Sequence, residues 1–184
     1  DALGNTTRYE YDQNGNLKKE VDARYISTAI ASAPGLEYEY DELNRLIKIM
    51  VFDGTARDVI SYRVYDGRGN LIKEVDGEGY RANDPDQSIG QVYQYDVLDR
   101  VVQYTSAQAF ADNQKNGTSL FTKRYEYDGV GNIIKEEDGL GNITASTYYL
   151  NGLLKDRIGP DGNKETMSYD LTGKMYIAQT DRGN

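Results

Sequence analysis

Tyr11-Asp12-Gln13-Asn14-Gly15-Asn16-Leu17 is the first of a series of near-copies, and that series decides the fold. Tyr65-Asp66-Gly67-Arg68-Gly69-Asn70-Leu71 and Tyr127-Asp128-Gly129-Val130-Gly131-Asn132-Ile133 repeat it, and Tyr169-Asp170-Leu171-Thr172-Gly173-Lys174-Met175 is a worn copy. Two copies lose the glycine: Tyr40-Asp41-Glu42-Leu43-Asn44-Arg45-Leu46 and Tyr95-Asp96-Val97-Leu98-Asp99-Arg100-Val101. Tyr148-Tyr149-Leu150-Asn151-Gly152-Leu153-Leu154 reads as a degenerate copy with a shorter turn. Repetition at this period marks an array in which each unit covers its neighbour. Residues that recur in every copy read as scaffold, so none is expected to be a unique catalytic group.

Each copy predicts a β-hairpin. In Arg8-Tyr9-Glu10-Tyr11 the two Tyr are two apart, on one face of a strand, with Glu10 on the other. Tyr38-Glu39-Tyr40, Tyr93-Gln94-Tyr95 and Tyr125-Glu126-Tyr127 repeat the alternation. The Asp that follows can accept backbone N–H bonds from two residues on, and Gly three after it suits a type I turn closing on a left-handed residue, the G1-bulge geometry. Asn44 and Asp99 stand where Gly would be, and both residue types tolerate left-handed backbone. Second strands are expected at 17–21, 46–52, 71–75, 101–104 and 133–137. Tyr62-Arg63-Val64-Tyr65 spaces its Tyr three apart, which puts them on opposite faces of a regular strand.

Second strands run into further turns, at Asp22, at Asp76-Gly77 and at Asp138-Gly139, and some of these carry insertions near 24–35, 80–90 and 106–119. The insertions read as variable loops on one rim, with helical turns expected at 25–33 and 107–113. Hairpins are marginal alone. Side by side they make a long antiparallel sheet, twisted and curved, with Tyr and aliphatics on one face and Glu, Lys and Arg on the other. The fold class is therefore all-β, with residues 1–184 a single segment.

Composition narrows the chemistry. The 184 residues include 17 Tyr and 19 Gly but no Trp, Cys or His. Nucleophile systems that need Cys or His cannot be assembled, nor can thiolate or imidazole zinc sites. A net charge of −9 with scattered basic residues gives no footprint for nucleic acid. The longest apolar run, Ile49-Met50-Val51-Phe52, is far short of the ~18 residues of a membrane span. The chain begins Asp1-Ala2-Leu3-Gly4-Asn5 and ends Asp181-Arg182-Gly183-Asn184, both versions of the internal Asp138-Gly139-Leu140-Gly141-Asn142, so it reads as an excerpt of a longer array.

Other constellations have simpler readings. Asp138-Gly139-Leu140-Gly141-Asn142 and Asn83-Asp84-Pro85-Asp86 offer oxygen atoms at short spacing but lack the calcium-loop pattern with its Glu at the twelfth position. Turn chemistry accounts for them. Glu136-Glu137-Asp138 is a solvated strand end rather than a glycosidase pair. Asn5-Thr6-Thr7, Asn116-Gly117-Thr118 and Asn142-Ile143-Thr144 match the glycosylation sequon, which matters only in a eukaryotic secretory pathway. No metal, cofactor or catalytic residue is expected.

The Tyr-Asp-x-x-Gly-Asn-Leu series, interleaved with Asp-x-x-Gly-Asn-x-Thr turns, resembles the YD repeats of RHS-repeat proteins, over essentially the whole chain. That family includes bacterial Rhs polymorphic toxins, the BC component of insecticidal Tc toxins, wall-associated proteins of Gram-positive bacteria and animal teneurins. The resemblance implies a spiralling β-sheet that closes into a hollow shell and, in the bacterial toxins, encloses a C-terminal toxic domain. It implies a secreted or surface-delivered bacterial protein that is not an enzyme, whose partners are neighbouring repeats and an enclosed cargo of the same parent. The closing cassette with its aspartyl self-cleavage is not visible; Gly159-Pro160-Asp161-Gly162 reads only as a turn. The motif residues expected to build the wall are Tyr11, Asp12, Gly15, Tyr40, Asp41, Tyr65, Asp66, Gly69, Tyr95, Asp96, Tyr127, Asp128, Gly131, Tyr169, Asp170 and Gly173. Edge-to-edge self-association of the segment is also expected, because bare strand edges template pairing. The alternative function is adhesion, with the Tyr rows as a glycan or protein platform.

Overall fold

The repeated turns dictate the architecture. Asp12 N–H donates to the Asn16 carbonyl at 2.9 Å and Gly15 N–H to the Asp12 carbonyl at 3.2 Å. Gly15 has φ +86°, open to glycine at no steric cost. This is the type I turn with a G1 bulge, and it returns the chain antiparallel beside itself. Where glycine is missing, Asn44 and Asp99 take φ +61° each.

The computed structural model describes residues 6–25 and 27–181. The first terminal motif, with Asn5 of the first sequon, and the last one beyond Asp181 lie outside the described residues. Among the described residues fourteen strands are hydrogen-bonded in chain order. No helix among the described residues is long and apolar enough to cross a membrane. The chain divides into two compact units, Asp1–Val92 and Tyr93–Asn184.

The first unit holds β1 (Arg8–Tyr11), β2 (Leu17–Val21), β3 (Gly35–Tyr40), β4 (Leu46–Phe52), β5 (Arg57–Tyr65) and β6 (Leu71–Asp76). The division falls inside β7 (Gln91–Tyr95). The second unit continues with β8 (Val101–Thr105), helix α1 (Ala107–Asn116), β9 (Lys123–Tyr127), β10 (Ile133–Asp138), β11 (Ile143–Tyr148), β12 (Leu154–Ile158), β13 (Lys164–Tyr169) and β14 (Met175–Asp181).

A second irregularity recurs that the sequence did not announce. In β1/β2, Tyr11 lies opposite Leu17 but Glu10 lies opposite Lys19, so Lys18 is an extra residue. The same slip leaves Ile47, Ile72, Ile134, Lys155 and Tyr176 as the extra residue in the hairpins of Tyr40, Tyr65, Tyr127, Tyr148 and Tyr169. An extra residue on one strand shifts its alternation by one and increases local twist. Lys19, Lys48 and Lys73 consequently share a face with Glu10, Glu39 and Val64.

That face, and not the tyrosine face, carries the deepest burial in the first unit. Val21, Val75, Met50 and Phe52 are buried on it, together with Lys19 and Lys73. The insertions at 24–35 and 80–90 produce this burial: they fold back over the sheet face instead of standing on the rim. Lys19 Nζ donates to the Ala31 carbonyl at 3.3 Å and Lys73 Nζ to the Asp86 carbonyl at 2.9 Å. Tyr62 meets Tyr80 of the second insertion edge-on, ring centroids 5.4 Å apart. The odd Tyr62/Tyr65 spacing follows: Tyr62 turns toward the insertion, while Tyr65, on the opposite face, belongs to the repeat.

Residues 27–33 form turns and bends, and the three-residue 3₁₀ helices among the described residues are Ala23–Tyr25 and Pro85–Gln87. The 107–113 expectation extends to a ten-residue helix, Ala107–Asn116, started by Ser106, whose hydroxyl accepts from Ala109 N–H, and ended by Gly117 at φ +66°. The Tyr148 copy is not shorter. Tyr149 N–H donates to the Leu153 carbonyl, Gly152 N–H to the Tyr149 carbonyl, and Gly152 has φ +82°, which is the turn of the other copies with Tyr in place of Asp.

Candidate functional site

The repeated feature with the most conspicuous geometry is the Tyr-Asp turn. Its Asp acts as a clamp. Asp12 Oδ1 accepts from Asn14 and Asn16 N–H, and Oδ2 accepts from Asn16 Nδ2 at 2.9 Å. Asp66 and Asp128 are held identically by Asn70 and Asn132. Side-chain bonds from these Asn, outweighing partial burial and reinforced by backbone N–H groups, hold Asp12, Asp66 and Asp128 below the usual carboxylate range.

The copies without glycine use arginine instead. Arg45 Nε donates to Asp41 Oδ2 and Arg100 Nε to Asp96 Oδ2, both at 2.7 Å, where the Asn amide stands elsewhere. The guanidinium has a second arm. Arg45 Nη1 reaches the Asp66 carbonyl at 3.0 Å with its centre 4.8 Å from the Tyr65 ring; Arg100 Nη1 reaches the Asp128 carbonyl at 3.2 Å, 4.6 Å from the Tyr127 ring. Asn-type and Arg-type turns thus alternate through the first five copies, and each Arg-type turn grips the Asn-type turn that follows. Asn44, in the left-handed position, adds a link back: its Oδ1 accepts from Asn14 and Asn16 Nδ2.

The Tyr side chains join hairpins. Tyr65 OH donates to the Leu46 carbonyl at 3.0 Å, Tyr127 OH to Val101 at 2.7 Å and Tyr148 OH to Ile133 at 2.8 Å. In each case the acceptor is the first residue of the preceding hairpin's second strand, just beyond the end of the backbone ladder. A part-buried carbonyl there gains from a donor. Tyr40 is half-buried, and burial followed by the nearby Asp12 charge raises its pKa. Tyr95 is half-buried at the end of β7. Tyr169 meets Tyr149 edge-on at 6.2 Å, and Tyr11 on β1 is 58% exposed. Asp170 accepts from Thr172 and Lys174 N–H, with Gly173 at φ +82°. Gly69 and Gly131 sit at +98° and +100°.

Of the oxygens considered for calcium, those of Asp138 are occupied within their own turn: Asp138 accepts from Leu140 N–H and from both Asn142 nitrogens. Among the described residues no group of three or more acidic side chains is placed to hold a metal.

No family model and no curated protein matches the chain. Solved structures do. A mutant Photorhabdus luminescens Tc holotoxin pore matches with TM-score 0.69 and 18% identity, covering 96% of this chain. The chain has the fold of Tc toxin chains. Two structures of TcdB2-TccC3, one alone and one with Cdc42, match at TM-scores 0.57 and 0.56 with 20% and 18% identity over 96% and 95% of this chain. The Tc resemblance read from the YD repeats and this likeness of fold agree. The chain spans 8–10% of the length of the Tc chains it matches.

The sequence signal for the arginine fork was present, as Arg45 and Arg100 follow the two left-handed non-glycine residues. Its second arm was not readable, because it depends on which turn lies beside it.

Proposed function

We propose that the chain is a wall segment of an RHS-type shell: a single array of hairpins that forms part of an enclosure around a toxic or otherwise harmful domain of the same parent protein, secreted or delivered to a surface. The observation that carries the reading is the tyrosine hydroxyl that crosses from each of several hairpins to the one before it. A sheet joined by both backbone ladders and side-chain links resists opening between hairpins. That is what containment of an unfolded or inactive cargo requires. The motif residues from Tyr11 to Gly173 serve this joining and no chemistry. The test is limited proteolysis of the full-length parent with mass spectrometry of the surviving fragments. A C-terminal fragment that is severed yet protected and still associated supports enclosure; one that is freely digested rules it out.

Adhesion has one observation in its favour, a cleft of about 550 Å³ lined by Tyr149, Tyr169 and Tyr176. The hydroxyls of Tyr65, Tyr127 and Tyr148, and of Tyr149 within the cleft, are committed to main-chain carbonyls. Binding on a glycan array that disappears with Tyr176→Ala would establish this reading.

A further inference from the structure

Hairpins dock on one another in one register, with Lys48 opposite Tyr62 and Asp156 opposite Thr166, so equivalent positions keep equivalent strand neighbours. The residue four after the post-turn aliphatic lies on the face away from the repeated tyrosines. In the hairpins of Tyr11 and Tyr65 it is Val21 and Val75, at 0% and 1% exposure. The insertion after each strand covers it in the same way. Lys19 and Lys73, two residues earlier, donate to the Ala31 and Asp86 carbonyls, and Ala33 and Ser88, two residues beyond those, are fully buried. Each insertion then returns at Gly35 or Gly90, where a Cβ would lie 2.1 Å from the Glu20 carbonyl oxygen or 2.4 Å from that of Glu74. Two dissimilar sequences thus take one form: a strap with a small buried residue and a carbonyl for a lysine.

Where a tight turn follows, as after β10, the same position is polar, Glu137. Ile158 breaks this pairing. Its strand, β12, lies between β11 and β13 and runs into the tight Gly159–Asn163 turn, yet the residue is aliphatic and 41% exposed. Ala145 stands opposite it on β11, and Ile143, on the same face of that strand, is 43% exposed. Met50 holds the equivalent position on β4 and is buried although only residues 53–56 join β4 to β5, so its cover comes from elsewhere in the first unit. The polarity beside Ile158 is inverted. Asp156 stands where Lys19 and Lys73 stand. Its carboxylate accepts from Thr147 Oγ1 at 3.0 Å and Thr166 Oγ1 at 2.8 Å and pairs with Lys164 Nζ at 3.0 Å. A carboxylate has about four acceptor sites, so one remains. Glu137, opposite Ile143, adds a second negative charge to this face. A strap over a lysine offers a carbonyl; one over Asp156 must offer an N–H or a cation.

We propose that Ile158, with Ile143 and Ala145, is the seat of a third strap, supplied by a basic segment of the parent chain outside residues 1–184, which lays a small residue on Ile158 and gives an N–H or a Lys or Arg side chain to Asp156. The inference rests on the reading of the chain as a segment of a longer wall. Both straps in the first unit belong to the chain they cover, and the chain spans 8–10% of the length of the Tc chains it matches. The seat lies inside the sheet, two strands from β14, and its openness comes from the short turn after β12.

The test is photo-cross-linking in the full-length parent. Ile143→p-benzoylphenylalanine and Ile158→p-benzoylphenylalanine place the probe on the seat; Arg157→p-benzoylphenylalanine places it on the opposite face, also exposed. Irradiation should join both seat positions to one segment of net positive charge outside residues 1–184, in a product of single-chain mass. The yield should be about fivefold or more that from position 157. Asp156→Asn, which keeps the shape and removes the charge, should lower the yield from position 143 about fivefold. If Asp156→Asn does not fold, the cross-links from 143 and 158 decide alone. No cross-link from either seat position, equal yields from 157 and 158, a product joined to a second copy or a separate protein, a neutral or acidic segment, or a folded Asp156→Asn that cross-links as well as the parent would each overturn the proposal. None of these touches protection of a C-terminal fragment from protease, so failure here is distinguishable from failure of the wall reading.

Discussion

Tyr65 and Leu46 belong to different hairpins, and the Tyr65 hydroxyl donates to the Leu46 main-chain carbonyl at 3.0 Å. The bond explains why the repeat needs Tyr and not Phe. The ring packs on the sheet face, and the hydroxyl satisfies a carbonyl that the backbone ladder has just passed.

Tyr65→Phe and Tyr127→Phe should each destabilise by about 1 kcal/mol, since each leaves a part-buried carbonyl without its donor. Tyr176→Phe, at 63% exposure, should stay within about 0.5 kcal/mol. Urea unfolding of the three variants makes the comparison, and equal effects at all three would remove the linking role.

Gly131→Val should cost roughly 1 kcal/mol or more, from backbone alone: φ is +100° and a Cβ there meets nothing within 4 Å. Gly67→Val, also open but without positive φ, should cost less. Matching melting temperatures for the two would contradict the turn geometry.

Glu37 accepts from Lys19 at 2.8 Å and from Arg57 at 2.6 Å, and both cations lie over the Phe52 ring. Lys19 is 3% exposed. Glu37→Leu strands its charge and should cost about 3 kcal/mol, while the double variant Lys19→Met/Glu37→Leu should recover much of that loss. A double variant as unstable as the single would show that packing, not the charge, sets the cost.

The pH dependence follows from the same groups. Burial opposes ionisation of Glu37, but hydrogen bonds from Arg57 and Lys19 prevail and its pKa is lowered. Asp12, Asp66 and Asp128 are lowered too, chiefly by their Asn partners. A depressed folded pKa gives stability present above the unfolded value and lost as pH falls through the folded one. Denaturation midpoints should therefore hold from neutrality to about pH 5 and fall below about pH 4. Asn70→Ala should flatten that fall by releasing Asp66. An unchanged acid slope would remove the clamp from the account.

Hairpins, turn type and the left-handed Asn44 and Asp99 were all legible, because Asp, Gly and strand alternation are local signals. The bulges at Lys18, Ile47 and Ile134 were not: an extra residue among Leu-Lys-Lys, Leu-Ile-Lys or Ile-Ile-Lys breaks no visible pattern until a partner strand supplies the count. Nor was burial of Lys19 and Lys73. A Lys in an alternating strand reads as solvated, and only the insertion folded over it, with the Ala31 and Asp86 carbonyls, makes its burial tolerable. The function of Tyr65 beyond packing depended on Leu46, nineteen residues away and in another hairpin.

The most direct measurement is an electron cryomicroscopy map of the full-length parent. The account predicts hairpins in the Lys48–Tyr62 register forming a wall with density for a further domain inside it. A parent whose repeats form an open array, with the remaining domains outside, would contradict it.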